Sequence, residues 1–299
     1  MKKEPLLSLC IPTNGIMNLV QPVIESIYHD QVDEELFEVV IMDNGDNKEF
    51  FDYAQKVSKK YSNFHYYHTD KKGFLNEFES YKKANGVFIK FINHRTLLKE
   101  GTLDYFINFI KNNIDTKPAV YFSNSALGHN RVNEYNTFDE YVKALEVYNT
   151  WSTGIAFWKS DFEHIDFDDV NELFPHTKIL YSITDKDKYI VDDVKLLEEI
   201  HISHANKGKY DVFYAFAVEF NNITNGLLKR GLISKNTFVS VKESLLNFCV
   251  GLYYQFVIKH EPCSYIIDKP MKSIRVYYSP LYFHYKVMRE RLRRLVKHG

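Results

Sequence analysis

Three short polar clusters stand where an apolar run stops: Pro12-Thr13-Asn14, Asp43-Asn44-Gly45 and Asn93-His94-Arg95. The third is the most distinctive. Residues 87–92 (VFIKFI) are mostly β-branched and aromatic and follow Gly86, which reads as a buried strand, so the Asn-His-Arg triplet sits at a carboxyl end. In open α/β sheets ligands bind in the crevice outside the carboxyl ends of the strands, which makes the triplet a candidate site. A solvated basic turn has the same composition and is the plainer alternative.

The elements needed to hold these clusters alternate in type. Residues 6–11 read as a strand closed by Pro12 to Gly15, after which Leu19, Val23, Ile24 and Ile27 recur at helical spacing. Residues 37–42 form a second strand ending in Asp43-Asn44-Gly45-Asp46, followed by a helix carrying Phe50, Tyr53, Ala54 and Val57. A weaker strand at 64–68 precedes a helix that Gly73 opens and Asn85-Gly86 close; the strand at 87 is the fourth. A helix over 102–112 then leads to a fifth strand at 119–122. Strands alternating with helices of this length predict a mostly parallel sheet covered on both faces.

Beyond Asn124 the pattern loosens into a helix at 138–148, a strand within 151–158, an acidic stretch at Asp166, Asp168, Asp169 and Glu172, and a helix within 173–181. From about residue 207 the spacing is helical, with one stripe of Phe213, Phe216, Phe220 and Leu227 and another of Phe238, Val241, Leu245, Cys249, Leu252 and Phe256. The expected organisation is an α/β domain over 1–195 and a helical region over 196–299.

A formal net charge of −1 over 299 residues argues against a nucleic-acid partner, which calls for a basic surface. Cys10, Cys249 and Cys263 have no metal-ligand spacing and read as ordinary thiols of a reducing compartment, so a cytoplasmic location is expected. The opening dozen residues do not read as a signal peptide, and residues 245–258, the longest greasy tract, are too short to span a bilayer. Leu281, Tyr285, Met288, Leu292 and Leu295 recur at steps of four and three among Lys286, Arg289, Arg291, Arg293, Arg294 and Lys297. Such a basic amphipathic helix can lie on the inner face of a membrane, pair with a copy of itself as a homo-oligomer, or simply pack.

Taken in order, SLCIPTNG, FEVVIMDNGDN, GFLNEF, ANGVFIKFINHR and EGTL resemble the nucleotide-sugar domain of inverting family 2 glycosyltransferases, whose fold is GT-A: a Rossmann-like α/β nucleotide-diphospho-sugar transferase fold. The match covers about residues 6–103, with looser agreement to about 180. The resemblance implies transfer of a sugar from a nucleoside-diphosphate donor to a hydroxyl of a cell-surface glycan or lipid-linked acceptor, as in capsule or other polysaccharide assembly. It places Pro12, Thr13, Asn14, Asp43 and Asn44 at the nucleoside, and Lys72, Gly73 and Asn76 beside the diphosphate.

The sequence departs from that family at two points. Where most members carry an Asp-x-Asp or Asp-Asp metal motif, this chain has Asn93, His94 and Arg95, and no carboxylate. A guanidinium matches phosphate oxygens and can take over the neutralisation of a leaving diphosphate, so Arg95 is the expected substitute. No cofactor is expected; magnesium or manganese held by His94 and Asp43 is the disfavoured alternative. The base that takes the acceptor proton is acidic in the family, and by position His176 stands there, with Glu172, Asp168 and Asp169 in reserve. Trp151, Ser152, Thr153 and Gly154 resemble the acceptor-facing strand, where Trp151 stacks on a sugar or fills the core. A degenerate, non-catalytic partner subunit is the main rival reading, and a nucleotidyltransferase the weaker one.

Overall fold

The computed structural model describes residues 4–71, 73–201 and 208–298, the side chains of 297 and 298 apart. Lys72 and the expected helix start near residue 207 lie outside the described residues. The chain divides into two compact units, Met1–Thr137 with Trp151–Ile200, and Phe138–Thr150 with His201–Gly299.

The first unit is built on β1 (Leu7–Thr13), β2 (Phe37–Asp43), β3 (Phe64–His68) and β4 (Phe88–Phe91), with α1 (Met17–Ile27), α2 (Lys48–Lys60) and α3 (Asn76–Lys83) as crossovers. β5 (Thr96–Leu98), α4 (Thr102–Asn113), β6 (Ala119–Phe122) and β7 (Val132–Tyr135) follow. α5 (Phe138–Leu145) belongs to the second unit, and the chain returns to the first with β8 (Ile155–Trp158), α6 (Lys159–Phe162), α7 (Thr177–Leu180), β9 (Tyr189–Asp192) and β10 (Leu197–Glu199).

Among the described residues eight strands form one sheet in the order β3-β2-β1-β4-β8-β6-β9-β7. The pairs β1–β2, β1–β4, β2–β3 and β6–β9 are parallel, while β8 runs antiparallel between β4 and β6, and β7 is antiparallel to β9. This is the mostly parallel, helix-covered α/β sheet that the alternating pattern predicts. Leu7, Leu9, Ile11, Val39, Ile41 and Phe88 are fully buried, as continuous apolar strands covered on both faces must be.

The departures from expectation have local causes. The helix expected within 173–181 shrinks to Thr177–Leu180, because the Asn171 side chain accepts the Leu173 and Phe174 N–H groups (3.0 and 2.9 Å) and Pro175 lacks its own. The helix expected over 138–148 gives way at Leu145 to a 3₁₀ turn. β9 and the antiparallel pair β5–β10, at three or four residues each, are too short for a period-2 signal.

The second unit is helical. α8 (Val212–Tyr214), α9 (Phe220–Lys229), α10 (Lys235–Leu252), α11 (Pro270–Tyr277) and α12 (Pro280–His298) join α5. Phe213, Ala217, Leu246, Cys249, Ile274, Phe283 and Val287 form a common core. Ser234 caps α10 by accepting the Thr237 N–H at 3.1 Å. No described helix is long and apolar enough to cross a membrane.

Candidate functional site

β1 and β2 run parallel with Thr13 opposite Asp43, so the first two polar clusters end side by side. The turns after them interlock. The Asn44 N–H donates to the Thr13 carbonyl (3.0 Å), and Asn47, which caps α2, also donates its side-chain amide to the Gly15 carbonyl (2.7 Å). Gly45 lies so close to Asn14 that an added Cβ would fall 2.1 Å from its carbonyl oxygen, which is why the second cluster ends in glycine. The Asn44 side chain donates to the Lys71 carbonyl (2.9 Å) and so ties in the loop that carries Gly73. Asn76, at the start of α3, faces the Thr13 carbonyl across a long 3.5 Å contact.

The third cluster joins the first through one hydrogen bond. Thr13 Oγ1 accepts the Gly15 N–H and lies at hydrogen-bond distance, 3.0 Å, from His94 Nδ1. The ring nitrogen donates in one tautomer and accepts the Thr13 hydroxyl in the other. Burial first, and the Arg95 charge second, push His94 down to about 4, so the ring is neutral at physiological pH. Asn93 Oδ1 accepts the Arg95 N–H (3.2 Å), which makes residues 93–95 a tight turn. The Arg95 carbonyl accepts from Ile200 at 2.8 Å; its guanidinium has no hydrogen bond or ion pair among the described residues.

Asp43 is buried, with Oδ1 accepting from Gly45 N (2.8 Å) and Oδ2 from Tyr66 (2.8 Å); burial raises its pKa against those two bonds. The fold resembled implies a divalent cation near this point, where the donor set is poor in carboxylates. Asn93 Oδ1, His94 Nδ1 and both Asp43 oxygens each take part in one hydrogen bond, Asp43 is the one carboxylate among these residues, and Arg95 adds a positive charge. No group of three His, Cys, Asp or Glu side chains converges as metal ligands among the described residues.

Of the residues expected at the acceptor, Thr153 and Gly154 are buried, while Trp151 and Ser152 are half-buried. A Cβ on Gly154 would lie 2.2 Å from the buried Tyr121 ring, and Tyr121 donates to the Trp151 carbonyl. Asp168, Asp169 and Glu172 are exposed, and Asp169 has a left-handed backbone (φ 58°). His176 is 3 % exposed with its ring edge-on to Phe174, which is not how a base open to an incoming acceptor is placed.

Three buried groups escaped the sequence reading. Lys90, in the middle of β4, is fully buried and donates to the carbonyls of Phe91 (2.9 Å), Thr153 (2.6 Å) and Ile155 (3.3 Å). It thereby fastens the turn at 152–154 to the strand that ends in Asn93-His94-Arg95. Burial lowers its pKa to about 7, while three carbonyls match the three N–H bonds of an ammonium. Glu77 is buried with Oε1 unpartnered, and burial pushes it up to about 8, so it is protonated at neutral pH. Asp193, just past β9, accepts from Ser123 Oγ (2.6 Å), Leu127 N (3.1 Å), His129 N (2.7 Å) and Asn130 N (3.0 Å), and its pKa is lowered by those bonds. The only sequence signals were a lysine inside an apolar run and an Asp pair closing another.

No protein-family model matches the sequence, and no curated protein matches it. Solved structures do. S. aureus TarS 1-349 in complex with UDP is similar over 85% of this chain and 75% of that one, with TM-score 0.60 and 15% identity. The mannosyltransferase PcManGT from Pyrobaculum calidifontis, in complex with GDP-Man and Mn2+, is similar over 82% of this chain and 70% of that one, with TM-score 0.52 and 13% identity. Against the S. aureus TarS chain of another crystal structure the TM-score is 0.56 at 14% identity, and this chain spans 44% of its length. At these identities the likeness shows the fold, which is the GT-A-like α/β architecture with a helical region after it.

Proposed function

We propose that the protein is a glycosyltransferase that moves a sugar, with inversion, from a nucleoside-diphosphate donor to a hydroxyl of a cell-surface glycan or lipid-linked acceptor. One observation carries this reading: three strand ends of a GT-A-like sheet are hydrogen-bonded into one cluster, Thr13 with His94 and Asn44 to Thr13, beside an arginine with no ion pair among the described residues. The fold is the one in which the neighbouring structures hold UDP, UDP-GlcNAc or GDP-Man.

In the proposed reaction the acceptor oxygen attacks the anomeric carbon on the face opposite the diphosphate. The bond from that carbon to the diphosphate oxygen breaks, and the acceptor proton passes to a base. Thr13, Asp43 and Asn44 hold the nucleoside; Gly73 and Asn76, with Lys72, line the diphosphate; Arg95 neutralises the charge that grows on the leaving group. His94, with Nδ1 tied to Thr13 and its pKa lowered by burial, adds a neutral imidazole rather than a second charge. Trp151, Ser152, Asp168 and Asp169 face the acceptor on the buried support of Thr153 and Gly154, and the base is Glu172 by exposure or His176 by position.

A thermal-shift series with UDP, GDP, CDP and ADP tests the donor site, since a ligand that binds only the folded state raises its melting temperature. A shift by at least one diphosphate, lost in Thr13→Val, is expected; no shift by any of them removes the reading. The missing acidic motif favours one alternative, a nucleotide-binding but non-catalytic partner subunit. Donor binding without hydrolysis or transfer across an acceptor pool would establish that instead.

A further inference from the structure

Helix α12 carries two apolar stripes, and its own unit uses one of them. Phe283 and Val287 are buried in the core with Val250 and Ile274, and Phe283 meets the Tyr253 ring edge-on. Leu281, Met288, Leu292 and Leu295 form the other stripe and are 60–84 % exposed, with Tyr285 between them at 49 % and Val296 beyond at 82 %. At about 3.6 residues per turn the second stripe faces roughly the opposite way from the first. Five large apolar side chains in a row on one face are far more than the scattered exposure normal for a protein surface.

The charge beside the stripe says what covers it. Arg289 flanks it on one side and Arg291 on the other, and neither has an ion pair among the described residues. On the Arg289 side a groove of about 700 Å³ opens between α10 and α12, walled by Lys286, Arg289, Glu290 and Arg293 on one side and by Asn247 and Gly251 on the other; Lys286 is paired with Glu243 and Arg293 with Glu290, which leaves Arg289 as its unpaired cation among the described residues. A second copy of the helix is a poor fit. Stripe-to-stripe pairing would set arginines against arginines, and Glu290, the one acidic residue of α12, is already bonded to Arg293 (2.9 Å) and Arg294 (2.6 Å). An apolar face bordered by unpaired cations matches an anionic bilayer surface, where the side chains enter the acyl boundary and the arginines meet phosphates.

We propose that the helical unit docks on anionic lipid through Leu281, Tyr285, Met288, Leu292 and Leu295, with Arg289 and Arg291 taking headgroup phosphates. This surface lies wholly in the second unit and stands whether or not the first unit transfers a sugar.

The test is flotation of the full chain with vesicles of phosphatidylglycerol mixed with phosphatidylcholine, beside vesicles of phosphatidylcholine alone. Binding to the anionic vesicles that weakens with salt is expected. Met288→Gln/Leu292→Gln/Leu295→Gln should abolish it, and Leu281→Gln alone, at the most exposed position, should weaken it if the triple variant melts early. Arg289→Gln/Arg291→Gln should weaken it by about fivefold per charge removed. Equal binding to neutral vesicles, or none to either, overturns the proposal. So does a doubled mass in solution that the triple variant abolishes, which would make the stripe a contact between two copies.

Discussion

Replacing Arg95 by alanine separates a binding role from a folding one, because among the described residues its guanidinium has no hydrogen bond or ion pair to lose. The melting temperature should therefore stay within the range of a neutral surface change, about 0.5 kcal/mol. The donor should not be spared. A hydrogen bond to a charged group contributes about 1.5–3 kcal/mol, which at tenfold per 1.4 kcal/mol weakens nucleoside-diphosphate affinity by roughly 10- to 150-fold. Arg95→Lys keeps the charge but loses the two-pronged geometry, so its affinity should fall between the two.

An internal reporter sits next to the mutation. Arg95 is the second cause, after burial, of the depressed His94 pKa, so Arg95→Ala should move the His94 titration midpoint up from about 4 toward the ordinary 6.5. Calorimetric titration with a nucleoside diphosphate in excess chelator, together with the proton NMR titration of His94, measures both effects. If chelator abolishes binding and added manganese restores it, or if Arg95→Ala binds as tightly as the parent, a metal does the work assigned here to the guanidinium. A His94 midpoint that does not move would show that the two side chains do not sense each other.

The other predictions concern the buried groups and the base. His94 binds its proton less readily folded than unfolded, so its contribution to stability is full above pH 6.5 and is lost as pH falls to about 4. The loss is on the order of 3 kcal/mol, and His94→Gln should flatten acid denaturation over that window; an equally steep curve would assign the slope to other groups. Lys90→Met leaves the carbonyls of Phe91, Thr153 and Ile155 without their donor, and after relief of the buried charge should cost about 2–4 kcal/mol. That corresponds to about 4–16 °C in melting temperature; no change would mean that water or a neighbour takes over the three acceptors. Glu172, being exposed, is the better placed base: Glu172→Gln should lower turnover by about two to four orders of magnitude and leave donor affinity intact, whereas that pattern in His176→Ala alone returns the role to the imidazole.

What could be read from the sequence and what could not differ in the range of the interactions involved. β1, β2 and β4 announce themselves because a strand covered on both faces must be apolar throughout, and the polar residue that ends the run marks the strand end. Thr13, Asp43 and Asn93 were located in that way, and parallel pairing of β1 with β2 on one side and with β4 on the other then sets their ends side by side. The insertion of β8 between β4 and β6 leaves no such mark, since Ile155–Trp158 has the same composition whichever strands it separates and in whichever direction it runs. Lys90 fails for a related reason. Within its own strand it is a defect in an apolar run, and two of the carbonyls that satisfy it belong to a segment more than sixty residues later.

α12 shows the same limit from the other side. The steps of four and three at Leu281, Tyr285, Met288, Leu292 and Leu295 were legible, and the pattern leaves open a core, a second copy or a membrane surface as what the stripe faces. The core takes Phe283 and Val287 instead, because the rings and methyls of α10 and α11 reach that face of the helix. A hydrophobic pattern therefore records that a face must be covered without recording by what. Where the chain itself covers another face, the uncovered stripe with its flanking arginines has to be explained by something outside the fold, and the charges rather than the apolar residues distinguish a lipid surface from a second copy.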